Sequence, residues 1–166
     1  LFRSFQKRNI PVAVYAYVAA KDKKEMEKEA EEFYKAASPY KPTYYWLDVE
    51  EKTMKDMNAG VEAFRAKLQA LGAKNIGLYI GTYFMEEHSI STDKFTALWI
   101  PTYGFDDGYY NAAPDTNTEY YLHQYTSQGQ LNGFSHYLDL NQIAPTQDQE
   151  AIYRKLFKVQ KDGSSS

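Results

Sequence analysis

Apolar residues in this chain fall into short, almost unbroken blocks, and the segments between them change in character from one half to the other. The blocks are Ile10–Val18, Tyr44–Val49, Ile76–Gly81, Ala97–Gly104, Tyr120–Thr126 and Ser135–Asn141. Most are rich in Val, Ile, Leu, Tyr and Trp with little polar alternation, the pattern of strands buried on both faces. Between the early blocks the apolar period changes to that of a helix. Met26, Ala30, Phe33 and Ala37 form one stripe within 22–37, ended by Pro39 and Pro42. Met54 or Met57 starts a second stripe, continued by Val61, Phe64, Leu68 and Leu71 and closed by Gly72 as a C-cap. Leu1–Asn9 reads as the end of an amphipathic helix. Thr146 with Gln149 makes a capping box for a last helix carrying Ile152, Leu156 and Val159. Residues 82–94, which hold His88, and 105–118 read as irregular loops.

Strand–helix–strand spacing in the first half implies parallel strands with right-handed crossovers. The last two strands are joined by only Ser127–Phe134, too short for a parallel crossover, so that pair is expected to be antiparallel. The fold class this predicts is α/β, a modified TIM-like (β/α) barrel. Such barrels rarely have fewer than roughly 200 residues, and this chain has 166 and opens on a helix end. The expectation is that the first strands are missing. Residues 1–160 would then be one domain lacking its N-terminal strands, and 161–166 a linker or tail. A missing N-terminal segment or a second copy is expected to close the barrel, because an unclosed barrel exposes strand edges.

One stretch carries candidate chemistry. Tyr44-Tyr45-Trp46-Leu47-Asp48-Val49-Glu50 ends a buried strand in two carboxylates one residue apart. Side chains alternate along a strand, so Asp48 and Glu50 point the same way. Two acids in one partly buried pocket suit acid/base chemistry, with one pKa raised and the other acid left ionised. On general grounds the same pattern also fits a solvated turn before a helix.

Composition narrows the options. Net charge is −3 without a basic block, which argues against a nucleic-acid partner. No apolar run reaches the length of a membrane span. There is no Cys, so disulfides and thiolate metal sites are excluded; this fits a reducing cytoplasm or a bacterial exported protein. The three His show no ligand-like spacing, and neither metal nor cofactor is expected. The 16 Tyr suit a carbohydrate or peptide cleft, since each ring is apolar and each hydroxyl polar. A Tyr-rich core would give the same count.

Four motifs, in order, resemble glycoside hydrolase family 25, the Chalaropsis-type lysozymes or N-acetylmuramidases. They are Ile10-Pro11-Val12-Ala13-Val14-Tyr15-Ala16-Tyr17, Leu47-Asp48-Val49-Glu50, Leu98-Trp99-Ile100-Pro101-Thr102-Tyr103, and His123-Gln124-Tyr125-Thr126-Ser127 with Gly129, Gly133 and Leu138-Asp139-Leu140-Asn141. Two departures stand out. The family's first strand, whose Asp lies in its active site, has no counterpart, which puts the activity of this chain alone in question. His123 stands where the family has Trp, which puts one packing or sugar-stacking surface in question.

The resemblance implies hydrolysis of the β-1,4 bond between N-acetylmuramic acid and N-acetylglucosamine in peptidoglycan glycan strands. It implies Glu50 as general acid/base. Asp48 would stay ionised and hold the 2-acetamido group so that its carbonyl attacks the anomeric carbon. A direct inverting route, with Asp48 or Asp139 positioning water, remains open. Asp139 would be a supporting acid. Tyr15, Tyr17, Tyr79, Trp99, Tyr103, Gln124 and Tyr125 would be substrate-binding, with Trp99 the foremost stacking candidate. The resemblance places action at a bacterial cell wall, as an autolysin or a phage endolysin. Two other classes stay open: a non-catalytic fragment or glycan-binding module, and a chitinase-like barrel hydrolase.

Overall fold

A computed structural model describes residues 2–157, and the expected tail at 161–166 lies outside the described residues. One six-stranded sheet organises the chain, with strands side by side in sequence order. These are β1 (Val14–Tyr17), β2 (Tyr45–Val49), β3 (Ile76–Ile80), β4 (Ala97–Pro101), β5 (Leu122–Gly129) and β6 (Leu138–Ile143). The first four neighbouring pairs are parallel, and β5 with β6 is antiparallel, as the short connection requires. Among the described residues β1 pairs only with β2, and β6 only with β5, so the sheet is open at two edges.

The early connections are helical. After α1 (Phe2–Lys7), helix α2 (Lys23–Ala37) starts at Asp22, whose side chain accepts from the Glu25 backbone N–H. Helix α3 (Met57–Leu71) starts in the same way on Asp56 and ends at Gly72, whose φ of 113° closes the last turn. Both expected stripes are buried: Met26, Ala30 and Ala37 from α2, and Met57, Val61, Phe64 and Leu68 from α3. They cover Leu47, Val49, Leu78, Ile80, Leu98 and Ile100 on one face of the sheet. The other face carries a smaller aromatic cluster of Tyr44, Trp46 and Trp99. Ile152 and Leu156 of the last helix, α5 (Gln149–Phe157), close it off. No helix among the described residues is long and apolar enough to cross a membrane.

Four local expectations need correcting. Residues 82–87 form a short helix, α4 (Thr82–Glu87); a single turn is too brief to show a helical period. His88 ends it, its ring 4.3 Å from that of Phe84. The cap of α5 is Asp148, which accepts from the Glu150 and Ala151 N–H groups, so Thr146 is not the capping residue. Strand β1 begins at Val14, beyond Pro11, which lacks the N–H a ladder needs. Strand β5 runs on to Gly129, into the stretch expected to join the last two strands, with register irregularities on either side of Thr126. Val159 lies outside the described residues.

Candidate active site

Strand alternation sorts the candidate residues. On the face away from α2 and α3, register aligns Tyr17 with Asp48, Asp48 with Tyr79, and Tyr79 with Trp99. Gln124 pairs with Pro101 on one side and Asn141 on the other. The result is a hollow of about 150 Å³ at the carboxyl ends of the strands, lined by Tyr15, Asp48, Glu50, Tyr79, Trp99, Gln124 and Asp139. In barrel folds that end of the sheet is where function sits. Larger surface hollows lie elsewhere, and two of them also combine acids with aromatic rings, but none of their linings includes the Asp48/Glu50 pair or a tryptophan.

The floor is built by close aromatic packing. Tyr44 stacks on Trp46 at 5.2 Å between centroids. Trp46 and Tyr79 meet Trp99 edge-on at 5.5 and 5.0 Å. Trp46 also lies across Gly77, its register partner, where a Cβ would fall 2.3 Å from the indole ring. Only glycine allows that approach. The Trp99 indole N–H donates to Asn141 Oδ1 at 2.8 Å, which fixes the ring.

The two acids are not equivalent. Glu50 is exposed, whereas Asp48 is half-buried and its Oδ1 has no hydrogen-bond partner among the described residues. Desolvation, with the charge of Glu50 and a hydrogen bond to it, pushes Asp48 up to about 7. This corrects the expectation that Asp48 simply stays ionised. It is the more buried member of the pair, so near neutrality it holds a proton part of the time. Deeper in, Tyr79 donates to Gln124 Oε1 at 2.7 Å, and Tyr103 donates to the same oxygen. Burial raises both phenols above their ordinary values.

Two expected contacts stand at the margin. Tyr17 is on the rim beside Glu51. Its hydroxyl is pushed up to about 12 by desolvation, the hydrogen bond to Glu51 and the charges of Glu51, Glu50 and Asp48. Tyr103 reaches the hollow only through Gln124. Tyr125 is a correction: it falls on the opposite face of β5, with its ring near Tyr110 and His123. His123 is a correction too. It is fully buried on that face, with Nε2 2.8 Å from the Thr102 carbonyl and Nδ1 3.4 Å from the Gln142 amide. Burial lowers its pKa, so it packs as a neutral ring, and its substitution leaves the hollow untouched. Asn141, which orients Trp99, is the site residue missed as such. It sits two residues after Asp139, and strand alternation alone could have placed it on the same face.

Parallel strands carrying acids and aromatics at their carboxyl ends have the layout of a barrel-type enzyme site. The family model of glycosyl hydrolases family 25 matches residues 2–134, and the chain belongs to that family. Asp139 lies beyond the matched residues. A solved glycosyl hydrolase 25 of Streptococcus pneumoniae, GHIP, described as a virulence factor participating in host cell invasion, is 63% identical. The likeness covers 94% of this chain and 69% of that one, with a TM-score of 0.92. The catalytic domain of endolysin ply40 from bacteriophage P40 of Listeria monocytogenes is 25% identical over 93% of this chain and 75% of its own, with a TM-score of 0.82. The modular autolysin LytC from Streptococcus pneumoniae, solved with a synthetic peptidoglycan ligand, shares the fold at 18% identity and a TM-score of 0.69. It matches 84% of this chain and 35% of its own. Comparison with curated proteins found no match.

Proposed function

We propose that this chain is a peptidoglycan hydrolase of the lysozyme type, cleaving the β-1,4 bond between N-acetylmuramic acid and N-acetylglucosamine. Glu50 protonates the leaving glycosidic oxygen and then, as the carboxylate, takes a proton from the attacking water. Asp48 in its ionised form accepts from the 2-acetamido N–H. That orients the acetamido carbonyl oxygen toward the anomeric carbon and offsets positive charge there. Asp139 is the supporting acid across the hollow. Tyr15 and Trp99 offer ring surface to sugar faces, and Gln124 offers hydrogen bonds. The site of action is a bacterial wall, reached by secretion or by release at lysis.

The observation that carries this reading is the convergence of Asp48, Glu50, Asp139 and Trp99 on one hollow. The activity in the LytC and ply40 names supports the substrate class. The test is release of reducing ends from purified Gram-positive peptidoglycan, with mass spectrometry of the new ends. N-acetylmuramic acid at the new reducing end is expected, and Glu50→Gln should remove activity. Undiminished turnover in Glu50→Gln would remove Glu50 from the reaction. Wall binding with no reducing ends released by the parent chain would make it a binding module.

A further inference from the structure

The hollow has many hydrogen-bond acceptors and few free donors. Asp48, Glu50 and Asp139 are carboxyl groups and accept whenever ionised. Tyr79 has given its O–H to Gln124, and Trp99 has given its N–H to Asn141. Tyr15 is 67% exposed at the open edge of the sheet. That leaves Gln124. It is 4% exposed, and its Oε1 already takes two O–H donors, Tyr79 and Tyr103. A carbonyl oxygen has two lone pairs, so it is full. The amide nitrogen, with its two N–H groups, makes no hydrogen bond among the described residues.

The phenols and the acids together decide which way the amide faces. Turned over, Gln124 would exchange its two O–H···O bonds for N–H groups given to the phenol oxygens, and its carbonyl would face the acid-lined hollow, acceptor against acceptor. We propose that Tyr79 and Tyr103 are positioning residues that lock Gln124 as the fixed hydrogen-bond donor of the hollow, aimed at an acceptor oxygen of the bound sugar. This rests on the reading of the hollow as a glycan site. It also gives the two tyrosines a task other than touching sugar. A donor held in place by two bonds loses little freedom when ligand arrives, so more of its bond energy appears as affinity.

The clamp is tested first without ligand, by NMR order parameters of the Gln124 side-chain amide. The amide should be as ordered as rigid backbone, about 0.85, and fall below about 0.6 in Tyr79→Phe/Tyr103→Phe. An amide that stays rigid in that variant overturns the clamp. The donor role is tested by calorimetric binding of peptide-free wall glycan strands to Glu50→Gln chains, which cannot turn them over. Gln124→Met should weaken binding about tenfold, as should the double Phe change. Combining them should weaken it no further, because residues acting through one group are not additive. Additive losses would mean the phenols touch sugar themselves and would overturn the proposal, as would unchanged affinity in the double Phe variant.

Chemically de-N-acetylated strands identify the acceptor. If the Gln124→Met penalty vanishes on them, the acceptor is the acetamido carbonyl; if it persists, the acceptor is a hydroxyl or ring oxygen. Either result upholds the donor. If the Glu50→Gln parent binds no glycan strand, the glycan reading fails and takes the donor role with it. The order parameters still decide the clamp.

Discussion

On its outer face the sheet presents Leu47, Val49, Leu78 and Ile80, all fully buried under the helices. One residue along the same strands, the inner face presents Trp46, Asp48, Glu50 and Tyr79. Period-two alternation thus separates two tasks within single strands. The outer face is aliphatic and dry, and each fully buried side chain of this kind contributes about 1.5–3 kcal/mol. The inner face keeps a carboxyl oxygen of Asp48 without a partner and spends two phenols on one amide. Such an arrangement costs stability, and the helix-covered face is what offsets it.

The largest separation between the faces should come from one substitution on each. Glu50 is exposed at the mouth of the hollow, so Glu50→Gln should lower wall-lytic activity by about 10²–10⁴-fold, with little change in melting temperature. Leu47 is 0% exposed, so Leu47→Ala should cost about 2–5 kcal/mol through lost burial and a residual cavity. Activity per folded molecule should survive that change. Denaturant titration alongside a turbidity assay reads both quantities. If Leu47→Ala removed activity from a chain that remained folded, the two faces would not be independent.

Gly77→Ala should cross the divide. A Cβ there would lie 2.3 Å from the Trp46 ring, so the indole must move. Overpacking of this kind costs about 1–3 kcal/mol. Trp46 touches Trp99, and Trp99 lines the hollow, so the shift should reach the site. Lower stability together with altered tryptophan emission and raised KM is expected. Lower stability with unchanged KM would mean that the aromatic floor deforms without moving the hollow.

The outer face was more legible in the sequence than the inner one. Helix stripes such as Met26–Ala30–Phe33–Ala37 follow from a period that burial imposes locally, and six apolar blocks announced six strands. Asp48 and Glu50 could be assigned to one side because alternation needs no tertiary knowledge. What could not be read depended on long-range partners. The bonded hydroxyls of Tyr79 and Tyr103 depend on Gln124, 45 and 21 residues away. Tyr125 and His123 flank Gln124, so alternation sets them opposite it; that Gln124 is the one facing the hollow depends on its neighbours across the sheet, Pro101 and Asn141. Which of the two acids would titrate high depends on burial, and the spacing of the acids carries no burial information.

That last difference yields the smallest effect and the sharpest pH signature. An aspartate carboxyl ordinarily titrates near 3.8, and in the folded chain desolvation and the neighbouring Glu50 hold Asp48 up to about 7. Between those values the folded state binds a proton that the unfolded state has released. Stability from this group is therefore complete below about 4, declines as pH rises, and is gone above about 7. An asparagine amide carries no charge at any of these pH values. Asp48→Asn should thus match the parent in stability near pH 4 and exceed it at pH 8. The excess should be about 1–2 kcal/mol, reduced from the full shift because solvent screens a half-exposed group. Melting curves of both chains from pH 4 to 8 measure it. A difference that stayed constant with pH, or ran the other way, would mean that a donor holds Asp48 ionised in the folded chain, and desolvation would not be what governs the inner face.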